Sequence, residues 1–421
     1  MSDSNILWIS GNDGTGKTAI ASSVVAILNS TEFGDVIPNA HFFLSEDVDD
    51  DPRSVWRTIA FRLALSSPAY REFLSKSGVL STDTKDLNAN DLFDALIQTP
   101  LSRLNVLIVV VIDALDECHY RRRQDFLKTV ADWKSLPSSC RLIVTSLNDN
   151  DIAREFDGTY HIDLDSRDES KETMVDIWTL FVGAFKKVER EGWPEDGEIH
   201  ELVEYANRSF LWAATVVAFV VDGRGGDPRS RFDDVLRAFK DYHGDIHELL
   251  CAHILMHAHL HLETDEERES MFLILAFLTF QKAPLSRREL GELLMRDISI
   301  ILNNLSPILK IGAPDEVVEF IHWYYEVVVR NLGDFRPSGY SKSFVQHLTR
   351  SNQTLRLTHA CLRCMKKSLG AQTDKDSNST AQRCSVITIH AEDGDPANVS
   401  KALKYASSYW VDHMNDIGRF E

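Results

Sequence analysis

Eight residues near the amino terminus, Gly11-Asn12-Asp13-Gly14-Thr15-Gly16-Lys17-Thr18, fit the pattern of a glycine, four residues of any type, and then Gly-Lys-Ser/Thr. The pattern has a use only between a strand and a helix, and both flanks supply one. Ile6-Leu7-Trp8-Ile9 is an apolar run before it, and Ile20, Val24, Ile27 and Leu28 follow at helical spacing. Glycines let backbone N–H groups turn inward around a phosphate while the first turn of the helix aims its positive end there. Gly11, Asn12, Asp13, Gly14, Thr15 and Gly16 are therefore expected to cradle the phosphates of ATP or ADP, Lys17 to reach the β- and γ-phosphates, and Thr18 to hold Mg²⁺.

A strand–loop–helix start implies an α/β module, which the alternation of elements extends from residue 1 to about 164. Its strongest strand is Val106-Leu107-Ile108-Val109-Val110-Val111-Ile112, apolar throughout, as a parallel strand covered on both faces should be. It ends in Asp113-Ala114-Leu115-Asp116-Glu117, carboxylates at the strand edge where α/β sheets bind ligands. Asp113 is expected on the metal, and Glu117 or Asp116 on the attacking water. A further strand, Arg141 to Ser146, ends in hydroxyl residues, and Thr145 is placed to sense a γ-phosphate. The segments with Val55, Ile59 and Leu63, and from Leu92 to Leu101, read as helix faces.

Charge narrows the partners. With 45 basic and 64 acidic side chains the net charge is −19, which disfavours nucleic acid or an anionic membrane as the main partner. The 6 cysteines are scattered, no run of 18 apolar residues occurs, and no signal-peptide pattern opens the chain, so a reducing, cytoplasmic setting is expected. The acidic loop Glu46 to Asp51 lacks the glycine and distal Glu of a calcium loop and reads as solvated surface.

From 165 to about 245 the pattern is wholly helical. Residues 246–335 begin with His253, His257, His259 and His261, of which two stand at zinc-protease spacing but with Ile254 where the Glu is needed. Three helices then precede two short strands, Ile308–Ile311 and Val317–His322, a winged-helix layout without a basic recognition face. Residues 336–421 read as helical, broken by a polar stretch at 370–382 and carrying the close pair Cys361 and Cys364, which suits two semi-buried helix positions.

Taken together, Ile6 to Thr18, Val111 to Cys118, Leu142 to Ser146, Ser209-Phe210-Leu211-Trp212-Ala213-Ala214, Pro284-Leu285-Ser286 and Phe320-Ile321-His322 resemble the NACHT ATPases of the STAND class, the fungal NLR-like and nephrocystin-like group. Ala114, the small residue before Leu115-Asp116-Glu117, is the most specific mark. The resemblance implies a nucleotide-binding P-loop domain followed by helical, winged-helix and second helical domains, closed around ADP and opened or oligomerised with ATP. It also implies that His322 touches the β-phosphate of ADP. The chain departs in having Leu147 where the family has an arginine after Thr145-Ser146, which bears on hydrolysis. Relatives usually carry an effector domain before the P-loop and a repeat sensor after the last helices; without either, the sequence reads as a truncated gene model, a fragment, or a switch core that works with partners encoded elsewhere. The readings are a nucleotide-controlled switch with slow hydrolysis, a nucleotide-binding scaffold without turnover, and a small-molecule kinase.

Overall fold

The computed structural model describes residues 4–30, 37–45, 51–78, 87–104, 106–118, 120–188, 192–223, 227–332, 342–373 and 399–418. Most of the acidic loop and of the polar stretch 370–382 lies outside them. The chain forms two compact units, one of Met1–Thr179 with Asn207–Leu211, the other of Leu180–Ala206 with Trp212–Glu421.

In the first unit five strands form one parallel sheet: β1 (Ile6–Ser10), β2 (Asn39–Phe43), β3 (Ile108–Asp113), β4 (Cys140–Ser146) and β5 (Tyr160–Asp163), in the order β2-β3-β4-β1-β5. All six residues of β3 are buried, which explains the unbroken apolar run from Ile108 to Ile112 ahead of Asp113. Leu107 is 48% exposed, so the strand starts at Ile108 rather than at Val106. The strand at Tyr160–Asp163 is not anticipated by the sequence: it is short, an edge strand, and its first two residues are exposed, although the His161 ring stacks on Trp8. Trp56, Ile59, Leu63, Phe93, Phe126 and Trp133 share one buried core with Val110, Ile112, Leu142 and Val144 of β3 and β4. Each such side chain contributes about 1.5–3 kcal/mol by burial.

The helix expected near Leu92–Leu101 is present but not regular. It runs Ala89–Phe93, widens to a π turn at Asp94–Gln98, and resumes at Thr99–Arg103. Pro100 has no N–H to offer the Leu96 carbonyl, so the ladder must open there. The Tyr70 hydroxyl donates to that carbonyl instead, and burial of the phenol keeps it protonated.

The second unit is helical apart from one small ladder. Its helix Asp265–Phe280 starts with a capping box, Thr264 with Glu267, and buries every residue from Ser270 to Phe280. A second capping box, Ser286 with Glu289, opens Arg287–Leu294, and Ser299–Asn304 follows. The two expected strands shrink to β6 (Leu309–Lys310) and β7 (Glu319–Phe320), antiparallel, with a bridge from Ser286 to Val317. Cys361 and Cys364 are buried on the helix Arg350–Thr373, and burial pushes the Cys361 thiol up to about 12, as inert helix positions require. His253 and His257 present ring edges or faces to Phe219, and among the described residues no group of three or more His, Cys, Asp or Glu could hold a metal ion. No helix among them is long and apolar enough to cross a membrane.

Candidate nucleotide site

The glycine loop joins β1 to the helix Lys17–Asn29. Gly14 (φ 77°) and Gly16 (φ 94°) occupy the left-handed region, and a Cβ on Gly14 would sit 2.7 Å from the Ser209 Oγ. Gly16 is the N-cap of the helix, which has neither a capping side chain nor an acid in its first turn. Its positive end is thus left to an anion from outside. The Lys17 Nζ donates to the Gly11 carbonyl (2.7 Å) and the Asn12 carbonyl (2.9 Å), and Thr15 Oγ1 also donates to the Asn12 carbonyl (2.8 Å). Thr18 is exposed.

Pairing of β3 with β4 and of β4 with β1 brings the acidic strand end beside this loop. Asp113 is 2% exposed, and its Oδ1 accepts the Thr145 hydroxyl at 2.5 Å. Thr145 Oγ1 in turn accepts the Ala114 N–H at 3.0 Å. Ala114 has φ 56°, so the chain leaves β3 through a left-handed residue, and that is the physical reason for a small side chain there. Asp116 turns its Oδ1 to the Leu147 N–H at 2.9 Å. Burial raises the Asp116 pKa above the ordinary carboxylate value and Asp13 adds to this, while the Leu147 N–H and the Lys17 charge oppose it. The contact to the Leu147 N–H fixes the Asp116 carboxylate against the segment that follows β4. Glu117 lies half-buried in the same tight turn, Leu115–Glu117.

Sequence reasoning missed three side chains here. Arg123 donates to the Asp116 carbonyl (3.2 Å) and to Asp151 (2.7 Å), and it also pairs with Asp149. It ties the acidic turn to the segment after β4, so a backbone N–H at Leu147 and a guanidinium from a helix stand in this region. Asp165 accepts the Asn12 N–H at 2.7 Å, and Arg208 donates to the Asp165 carbonyl at 3.1 Å. The signal for Asp165 was the acidic run after β5, which carries no motif; Arg123 and Arg208 had none.

His322 belongs to the second unit. It ends no strand: it is the N-cap of the helix Trp323–Asn331, its Nδ1 accepting the Tyr324 N–H at 3.2 Å, which leaves the ring proton on Nε2.

The donor set suits Mg²⁺. A carboxylate, Asp113, and a hydroxyl, Thr18, are hard oxygen ligands, and Mg²⁺ bound to a nucleotide takes only one or two protein ligands. Asp113 and Thr18 would hold it, and it would neutralise phosphate charge.

A parallel sheet whose first strand runs through a glycine loop into a helix, with an acidic strand end beside it, defines a P-loop NTPase fold. Residues 1–146 match the family model described as Nephrocystin 3, N-terminal. The vegetative incompatibility protein HET-E-1 of Podospora anserina is 21% identical over 440 residues, covering 99% of this chain and 31% of its own length. The chain thus spans less than a third of that curated relative. A signal transduction ATPase with numerous domains (STAND) and a tetratricopeptide repeat sensor, from Pyrococcus horikoshii, aligns at 15% identity and TM-score 0.45 over 88% of this chain and 46% of its own. The Aeropyrum pernix ORC2 protein aligns at 13% identity and TM-score 0.37 over 78% of this chain and 87% of its own. The family match and the curated relative support a NACHT/STAND P-loop NTPase.

Proposed function

We propose that the chain is the nucleotide-binding core of a signalling switch that takes ADP and ATP with Mg²⁺ and hydrolyses ATP slowly, its opening and self-association following the nucleotide. The observation that carries the reading is the placement of Lys17 on the glycine loop after β1 and of Asp113 and Asp116 at the end of β3, with only β4 between those two strands in the sheet. Lys17 binds phosphate, Asp113 with Thr18 the metal, and Thr145 fixes the Asp113 carboxylate. Asp116, with its pKa raised by burial and its Oδ1 held by the Leu147 N–H, is the preferred proton acceptor over Glu117, because a base works best with a pKa drawn toward the working pH. The domain limits at 164, 245 and 335 and the cytoplasmic setting are part of the same reading. So is a role for His322 in reading ADP.

A scaffold without turnover is the second reading, and Leu147 favours it, since its side chain offers no charge to a γ-phosphate. Phosphate release from ATP, with no acceptor added, separates the two. The switch reading expects slow release in the wild type, loss of release with retained ATP affinity in Asp116→Asn, and residual release in Glu117→Gln. No release from a wild-type protein that binds ATP leaves the scaffold; release with no effect of either substitution removes both carboxylates from the mechanism.

A further inference from the structure

The peptide group between Gly11 and Asn12 is held at both ends. Its carbonyl accepts the Lys17 ammonium at 2.7 Å, and its N–H donates to Asp165 Oδ2 at 2.7 Å. Orientation of that peptide therefore helps to set where the Lys17 Nζ rests, together with the Asn12 carbonyl, which accepts the ammonium at 2.9 Å. Asp165 is itself fixed twice. Its N–H donates to Asp163 Oδ1 (3.0 Å) at the end of β5, and its carbonyl accepts the Arg208 guanidinium (3.1 Å). Arg208 and its neighbour Asn207 both lie in the left-handed region, at φ 69° and 44°. Asn tolerates this conformation, but an arginine there is uncommon, so the local structure over-determines it. The same turn delivers the Phe210 and Leu211 N–H groups to the Gly14 carbonyl, at 2.8 and 3.3 Å.

Resting on the nucleotide-binding reading, we propose that Asp165 and Arg208 are positioning residues for Lys17, acting through the Gly11–Asn12 peptide. The carboxylate polarises the peptide and strengthens the carbonyl that receives the ammonium. Arg208 holds the Asp165 backbone so that the carboxylate cannot swing away from the Asn12 N–H. The turn at Asn207–Leu211 clamps the same loop at Gly14, so both limbs of the phosphate cradle are set before any ligand arrives. Such preorganisation raises affinity for a polyphosphate and leaves a ligand without a β-phosphate little affected.

The experiment uses the full chain and titrates ADP and AMP, with hydrogen exchange of the loop amides recorded on the free protein. Arg208→Ala and Asp165→Ala are expected to weaken ADP roughly three- to tenfold, the factor of one hydrogen bond of about 0.5–1.5 kcal/mol, with AMP unchanged. Exchange should quicken at residues 11–16 and not in β3. Arg208→Lys, which still donates to the carbonyl, and Asp165→Asn, which still accepts the Asn12 N–H, should restore most of both readouts. Unchanged ADP affinity in folded variants, equal loss for AMP, or no recovery in the conservative pair overturns the proposal. Should the wild type bind no nucleotide, the functional reading falls by itself, and exchange at the loop still decides whether Asp165 and Arg208 hold it. If Arg208→Ala does not fold, Asp165→Ala carries the same test.

Discussion

The two units bury polar side chains to different ends. In the first, the buried or half-buried groups are paired and converge: Asp113 with Thr145, Asp116 with the Leu147 N–H, Asp165 with the Asn12 N–H, and Lys17 with two carbonyls of its own loop. In the second, they are scattered: the Arg231 guanidinium donates to the Val220 carbonyl, the Tyr325 hydroxyl donates to Thr215, and burial disfavours the charged form of the histidines. His253 Nε2 and His413 Nδ1 are buried without a hydrogen-bond partner, and burial lowers the pKa of both His257 and His413 to about 4. A buried polar group alone thus says little about function; several that share partners and face one loop say much more. Four measurements can break or sharpen that contrast.

The largest effect is expected at Lys17. Lys17→Ala removes the cation from the phosphate loop, and ADP and ATP affinity should fall at least about a hundredfold, as expected for a charged group lost from a polyphosphate site. Calorimetric titration checks it, and unchanged affinity for both nucleotides would show that convergence in the first unit is structural only.

Next comes the turn after β3. Ala114→Val puts a β-branched residue at φ 56° and should destabilise the first unit by about 2 kcal/mol or more, whereas Ala114→Gly should be neutral or stabilise it by about 0.5–1 kcal/mol. Denaturant unfolding reads both. A tolerated valine would mean that the left-handed turn is not required.

The histidines of the second unit give a pH test. Burial chiefly, then His261, Arg231 and His253, lower the His257 pKa to about 4, with Asp234 opposing. From pH 6.5 down to about 4 the unfolded chain takes up a proton that folded His257 refuses, so stability is fully present above 6.5 and is lost as the pH falls. His257→Phe should remove roughly one proton from the pH dependence of unfolding in that window. An unchanged slope would mean that His257 titrates freely in the folded state.

The smallest effect is expected at His322. His322→Ala removes the acceptor from the Tyr324 N–H and should cost about 1 kcal/mol of stability. His322→Asn, a good cap, should restore it. If the ring also reads ADP, both variants weaken ADP relative to ATP in paired titrations; if only the cap matters, neither nucleotide responds.

Local spacing made much of the site legible. Glycines at 11, 14 and 16 with Lys17 after an apolar run, and an aspartate after an unbroken apolar strand, are patterns written within a dozen residues. The edge strand β5 was not legible because four residues with two exposed side chains show no period that separates strand from loop. Val317 to His322 is mostly apolar and β-branched or aromatic and reads as a strand ending on His322, yet the ladder stops at Phe320 and the histidine side chain caps a helix instead. The π turn before Pro100 follows from the proline, but its stabilising donor is Tyr70, a residue on another helix.

The sequence by itself determined that β1 runs into a phosphate loop and that carboxylates follow β3, because helix and strand periods, glycine conformations and strand ends are local properties. Which partner each carboxylate takes was a tertiary decision. The order β2-β3-β4-β1-β5 inserts β4 between β3 and β1, so that Thr145 meets Asp113 and the Leu147 N–H meets Asp116 across about thirty residues of chain. Asp165 reaches the loop from farther still, carried there by the pairing of β5 with β1. No local pattern encodes these contacts, because they depend on which strands lie side by side, and that is settled by burying the sheet between its helices.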